Sequence, residues 1–199
     1  MKNRNDPAEL RQYSGKHLMH EISMLWQTTD ALPLHAKGTV EHVALLESFV
    51  THLRNLIEFL FFEISRDDVV RARHFVDDRA LWKYSTKSPC WETYWEHQYN
   101  RACHEVNHLL IGRIDDDDAE SRTWEVGKLR MQIEPILREF ASGASTDRLD
   151  KKVREFFQQP SDKVPGWLGY NVPLTNIAMT VNVSTSTPIP PVVLRKPNP

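Results

Sequence analysis

The sequence predicts an all-α fold: an antiparallel bundle of four to five helices over residues 1–160, followed by a disordered tail over 161–199. Three observations predict it. Glycine is scarce, at 7 of 199 residues. Alternating apolar and polar residues, the mark of a strand, are nearly absent before residue 165. Over long stretches the apolar residues instead recur at three- and four-residue steps, the period of a helix with one buried face.

The first helix is expected from about Ser14 to Ala31. Leu18, Ile22, Leu25 and Trp26 form its stripe, and Pro33 follows its end. The second starts near Thr39. Val43, Leu46, Val50, Leu53, Ile57, Leu60 and Phe61 form its stripe, and Leu45, Phe49 and Leu56 widen it, so this helix is central. Residues 64–87 are less regular, with a short helical turn expected at Arg66-Asp67-Asp68-Val69-Val70. Ser88-Pro89 is a helix start, serine as cap and proline in the first turn. The third helix then runs to about Ile114, with Trp91, Trp95, Ala102, Val106 and Leu109 on one face. Four acids, Asp115 to Asp118, read as a solvated loop leading into a fourth helix over Ala119 to Ala141. Pro135 is expected to kink that helix and Gly143 to stop it. A last amphipathic helix spans Thr146 to Gln158. Beyond Pro160 the chain is rich in Pro, Ser and Thr and does not carry the pattern of a packed core.

Charge and composition narrow the functional classes. With 25 Lys and Arg against 27 Asp and Glu, the formal net charge is −2 and no basic face announces DNA binding. The most apolar stretch, Val43 to Phe62, carries Glu47, His52, Arg54 and Glu58, which argues for a buried helix and no membrane span. Cys90 and Cys103 lie about 20 Å apart if one helix holds both, beyond disulfide reach, so a reducing, cytoplasmic setting is expected.

The residues with chemical potential concentrate on the third helix. At 100° per residue, His97, Arg101, His104 and His108 fall on one stripe, away from the tryptophan face. Three readings compete. In the first, His104-Glu105-x-x-His108 holds zinc: two histidines at i and i+4 ligate the metal and Glu105 acts as base. A third ligand would come from Asp115, Glu120 or Glu125. In the second, Arg101 and His108 cleave RNA, with no bound cofactor. The arginine holds the scissile phosphate and the histidine moves the proton of the 2′-hydroxyl, with His104 and Arg54 in support. In the third the stripe is structural. It packs against the polar stripe of the second helix, Glu47, Thr51, Arg54 and Glu58, and Glu47 and Glu58 pair with Arg101 and the histidines.

Several segments also carry a resemblance. Ala44-Leu45-Leu46-Glu47-Ser48-Phe49 and His52-Leu53-Arg54-Asn55-Leu56-Ile57-Glu58-Phe59 resemble the long second helix of a group of small bacterial helical proteins. Asp67-Asp68-Val69-Val70 with Phe75-Val76, His108-Leu109 with Arg113, and Trp124 through Phe140 resemble their following segments. The likeness covers about residues 40–140. That group is HEPN-like, and the arginine, six-residue gap and histidine of Arg101 and His108 has the spacing used by HEPN-type ribonucleases. The resemblance implies an antiparallel bundle, often a homodimer, in a defence or toxin–antitoxin system, with RNA as its partner. It implies a fold more strongly than an activity.

Overall fold

In a computed structural model the chain is all-α, and no strand occurs among the described residues. These are residues 6–63, 69–78, 82–84, 87–107 and 123–158. His108, the acidic run Asp115 to Asp118, Glu120 and the Pro/Ser/Thr-rich tail lie outside them.

Helix α1, Pro7–Tyr13, starts about two turns earlier than the apolar pattern suggests. The cause is local: the Asp6 carboxylate accepts from the Ala8 N–H at 2.9 Å and Pro7 opens the first turn. A wide π-helical turn, Ser14–Leu18, carries the chain without a break into α2, Met19–Ala31. Ile22, Leu25 and Trp26 of α2 are fully buried. Gly15 lets the distant turn that holds Asp150 come close. A Cβ there would stand 2.7 Å from Asp150 Oδ2.

Gly38, at φ +83°, turns the chain into α3, Val40–Phe61, and the Thr39 hydroxyl caps its start by accepting from the His42 N–H at 3.3 Å. This helix is central, as its wide stripe predicts: it packs on α2 and on the helix Glu96–Ala102, α4. Phe49, Val50, Leu53, Leu56, Ile57 and Leu60 are buried, while Val43, counted in the stripe, stands exposed at the open end. A 3-10 turn, Ala72–His74, returns the chain across α3.

The third helical run begins after Ser88, whose carbonyl accepts from the Trp91 and Glu92 N–H groups. It is not a uniform α-helix. A π-helical turn, Trp91–Trp95, leads into α4, Glu96–Ala102, and a second, Cys103–Asn107, follows. Helix α5, Val126–Gly143, starts later than the expected Ala119, because Thr123 to Glu125 are not helical and Trp124 is turned toward the third helical run. Pro135 lies within α5, which continues past it to Gly143. The last helix, α6, is Lys151–Gln158. Thr146 to Asp150, assigned to it from the sequence, form turns in which Asp150 donates its N–H to Ser14 Oγ and its carboxylate caps α6 at the Lys152 N–H. The α6 rings of Phe156 and Phe157 meet Trp26 edge to face, at 5.4 and 5.8 Å between centroids. No described helix is long and apolar enough to cross a membrane.

Candidate functional site

Of the expected stripe, His97 and Arg101 lie four residues apart on α4, His104 lies in the π-helical turn after it, and His108 lies outside the described residues. A π-helical turn bonds i to i+5, so the Cys103–Asn107 turn shifts the register after Ala102. His97 and His104 are exposed, whereas the Arg101 side chain is only 15 % exposed. Arg101 is tied into a knot with Glu105 and Trp124. Its Nε donates to Glu105 Oε1 at 2.6 Å, one Nη donates to the Thr123 carbonyl at 3.3 Å, and its Cζ lies 4.1 Å from the centre of the Trp124 ring. The Trp124 indole N–H donates to the other Glu105 oxygen at 2.7 Å. Both Glu105 oxygens therefore accept bonds, an arrangement that suits anchoring better than activating a water. Among the described residues no group of three or more His, Cys, Asp and Glu side chains is placed to hold a metal, and His108, the second histidine of the zinc reading, lies outside them.

The polar stripe of α3 does face the third helical run, with partners other than those expected. Arg54 donates from Nε to Cys103 Sγ at 3.2 Å and lies over the Tyr99 ring, 5.6 Å from its centre. Glu58 pairs with Arg71 at 2.8 Å and with Arg54 at 3.7 Å, not with Arg101. Glu47 is exposed, and among the described residues its side chain pairs with neither Arg101 nor a histidine. Both sites are corrections to the expected pairing. Two separate contacts explain them: Arg101 is turned toward Glu105 and Trp124, and Arg71 arrives from the loop after α3 to take Glu58.

A second cluster, absent from the sequence reading, forms where α1, α2 and α3 meet the segment Val69 to Arg71. His52 Nδ1 lies 2.7 Å from Glu21 Oε2, and Asn55 Nδ2 donates to the same oxygen at 3.1 Å. A carboxylate only accepts, so the imidazole nitrogen is the donor. The His20 ring stands edge-on to His52 at 5.4 Å. Burial works to raise the Glu21 pKa, but the bonds from His52 and Asn55 outweigh it and hold the carboxyl below its usual range. Glu21, Asn55, Glu58, Arg71 and Tyr13 line a cleft of about 190 Å³ whose apolar wall is Leu18, Leu56, Phe59, Val69 and Val70. Burial pushes the Tyr13 phenol up, and the negative charge of Glu21 adds to the shift against the opposing charge of Arg71. Arg71 is 8 % exposed. It gives one Nη to Glu58, while its buried Nε has no partner among the described residues. The available signal was Glu21 itself, an acid set beside the apolar stripe of Leu18, Ile22 and Leu25, facing a helix with His52 and Asn55 three residues apart.

Comparison with known proteins returns no matching family model, no matching curated protein and no matching solved structure.

Proposed function

We propose that this chain is a helical interaction domain, HEPN-like in architecture, in which the Arg101 stripe acts as internal glue. The observation that carries this reading is the knot of Arg101, Glu105 and Trp124, in which Nε and one Nη of Arg101 are bonded and the other Nη is buried without a partner among the described residues. An arginine that clamps a phosphate needs its fork turned outward, and here the fork is bonded to a carboxylate and covered by an indole. The RNA-cleaving alternative, through Arg101, His108 and His104, needs that knot to open.

Arg101→Ala separates the two. As glue, its loss removes a charge-assisted bond and a cation–π contact and lowers stability by roughly 2–3 kcal/mol, read as the shift of the urea midpoint, with no change in any activity. Loss of a single-stranded RNA cleavage present in the wild type, with the midpoint unmoved, would reverse the reading.

An interaction domain also needs exposed apolar side chains, and Leu34 in the α2–α3 connection and Val40 and Val43 in the first turn of α3 are exposed. Val40 is 82 % exposed at the first position of α3. The partner this reading assigns there is a second copy of the chain. Val40→Glu is expected to convert a dimer to a monomer in sedimentation. A monomeric wild type, or a variant with an unchanged sedimentation coefficient, overturns this assignment and leaves the glue reading standing.

A further inference from the structure

We propose that the cleft between α1, α3 and Val69 to Arg71 binds a small zwitterion, an ammonium and a carboxylate on an aliphatic body, as in an apolar amino acid. Three features converge on that class, and none depends on Arg101 or on the dimer surface.

The first is a carboxylate with one oxygen to spare. Glu21 Oε2 accepts from both His52 and Asn55, while Oε1 has no partner among the described residues. The paired oxygen fixes the orientation of the group, and the unpaired one is left to accept from a donor in the cleft. An ammonium is the donor that gains most from a carboxylate already held in its charged form.

The second is a cation with a donor to spare. Arg71 is more than nine-tenths buried and lines the same cleft, and its Nε–H, just beneath the surface, has no acceptor among the described residues, so a small turn of the guanidinium is needed to present it to a ligand. A buried donor without an acceptor costs on the order of 1–3 kcal/mol, so the fold retains a group that a ligand oxygen would satisfy. Glu58 neutralises part of the Arg71 charge without occupying Nε. A ligand that brought only an ammonium would leave this donor unmet. One that brought only a carboxylate would face Glu21 and Glu58.

The third is the wall. Leu18, Leu56, Phe59, Val69 and Val70 present an apolar surface beside the two charged groups, and the space is that of a small molecule. An aliphatic body covers that wall while its two charged ends reach opposite partners. A larger or more polar ligand, such as a nucleotide, would meet two carboxylates and too little room.

The test uses the full chain in calorimetric titrations with four probes. Two are zwitterions with different charge spacing, leucine and 6-aminohexanoate. The other two keep one charge each, 3-methylbutylamine and 4-methylpentanoate. Saturable binding is expected for at least one zwitterion. The amine and the acid are expected to bind about tenfold or more weakly, each having lost a charge-assisted bond. In the wild-type protein, methyl resonances of Leu18, Leu56, Val69 and Val70 should shift with the same saturation curve, a readout that needs no variant. Glu21→Gln is expected to weaken the zwitterion about tenfold or more. No saturation by either zwitterion up to roughly 10 mM, a millimolar limit on affinity, overturns the proposal. So does an amine or acid that binds as tightly as the zwitterion, a methyl shift pattern centred elsewhere, or undiminished binding by a folded Glu21→Gln.

Discussion

Arg101 and Arg71 are both largely buried arginines beside a glutamate, and they end in different chemical situations. Arg101 is met by its own helix and by the entry to α5: Glu105 takes its Nε and Trp124 covers its face. Arg71 comes from the loop after α3, gives one nitrogen to Glu58, and leaves its Nε unbonded beside a cleft. Each keeps one buried nitrogen without an acceptor among the described residues, and what differs is the setting: Arg101 joins two segments in a knot, and Arg71 stands in the wall of a cleft. A charged residue on a promising helical stripe is therefore a weak guide to function. The better guide is what surrounds the group once the fold has placed it.

The largest expected effect comes from breaking the closed partner. Trp124→Ala removes the indole that covers Arg101 and anchors Glu105, and it empties a site that is 8 % exposed within the core cluster. Truncating a buried tryptophan costs about 3–5 kcal/mol, so the urea midpoint should fall by more than in Arg101→Ala. If the knot is one unit, the double variant should lose less than the sum of the two single losses. Strict additivity would mean that Trp124 and Arg101 act separately, and the contrast with Arg71 would lose its basis.

The same contrast explains what the sequence made legible. The helical period gave the fold class and the central place of α3, because burial of one face is written in the spacing of Phe49, Val50, Leu53, Leu56, Ile57 and Leu60. Helix ends were read less well where tertiary partners decide them. Trp124 leaves the helical path as its indole bonds Glu105, and Asp150 is turned by Ser14, 136 residues away in the chain. The burial of Arg101 between exposed His97 and His104 is not written in the helical spacing, because the cover comes from Thr123 and Trp124, some twenty residues on, and the π-helical turn at Cys103–Asn107 is not visible in composition or spacing either. The cleft was invisible for a different reason. Its polar residues come from positions 13, 21, 55, 58 and 71, and no local pattern joins them.

The smallest expected effect probes the cleft through its acid. The Glu21 carboxyl is held below its usual range in the folded chain, by bonds that burial only partly opposes. A group whose folded pKa is depressed binds its proton more readily when unfolded, so stability falls as the medium is acidified. The contribution of Glu21 is fully present above the ordinary glutamate pKa of about 4.3, and it is lost as pH falls through the lower value of the folded state. Glu21→Gln abolishes this component. Its urea midpoint should change less between pH 5 and pH 3 than that of the wild type, roughly the window in which a depressed glutamate titrates. The difference is expected to be small, since Glu21 is partly exposed and solvent screens its bonds. Parallel curves for the two proteins would mean that His52 and Asn55 do not favour the charged carboxylate. The ammonium end of the proposed ligand would then lose its preformed partner, while the Arg71 donor and the apolar wall would remain.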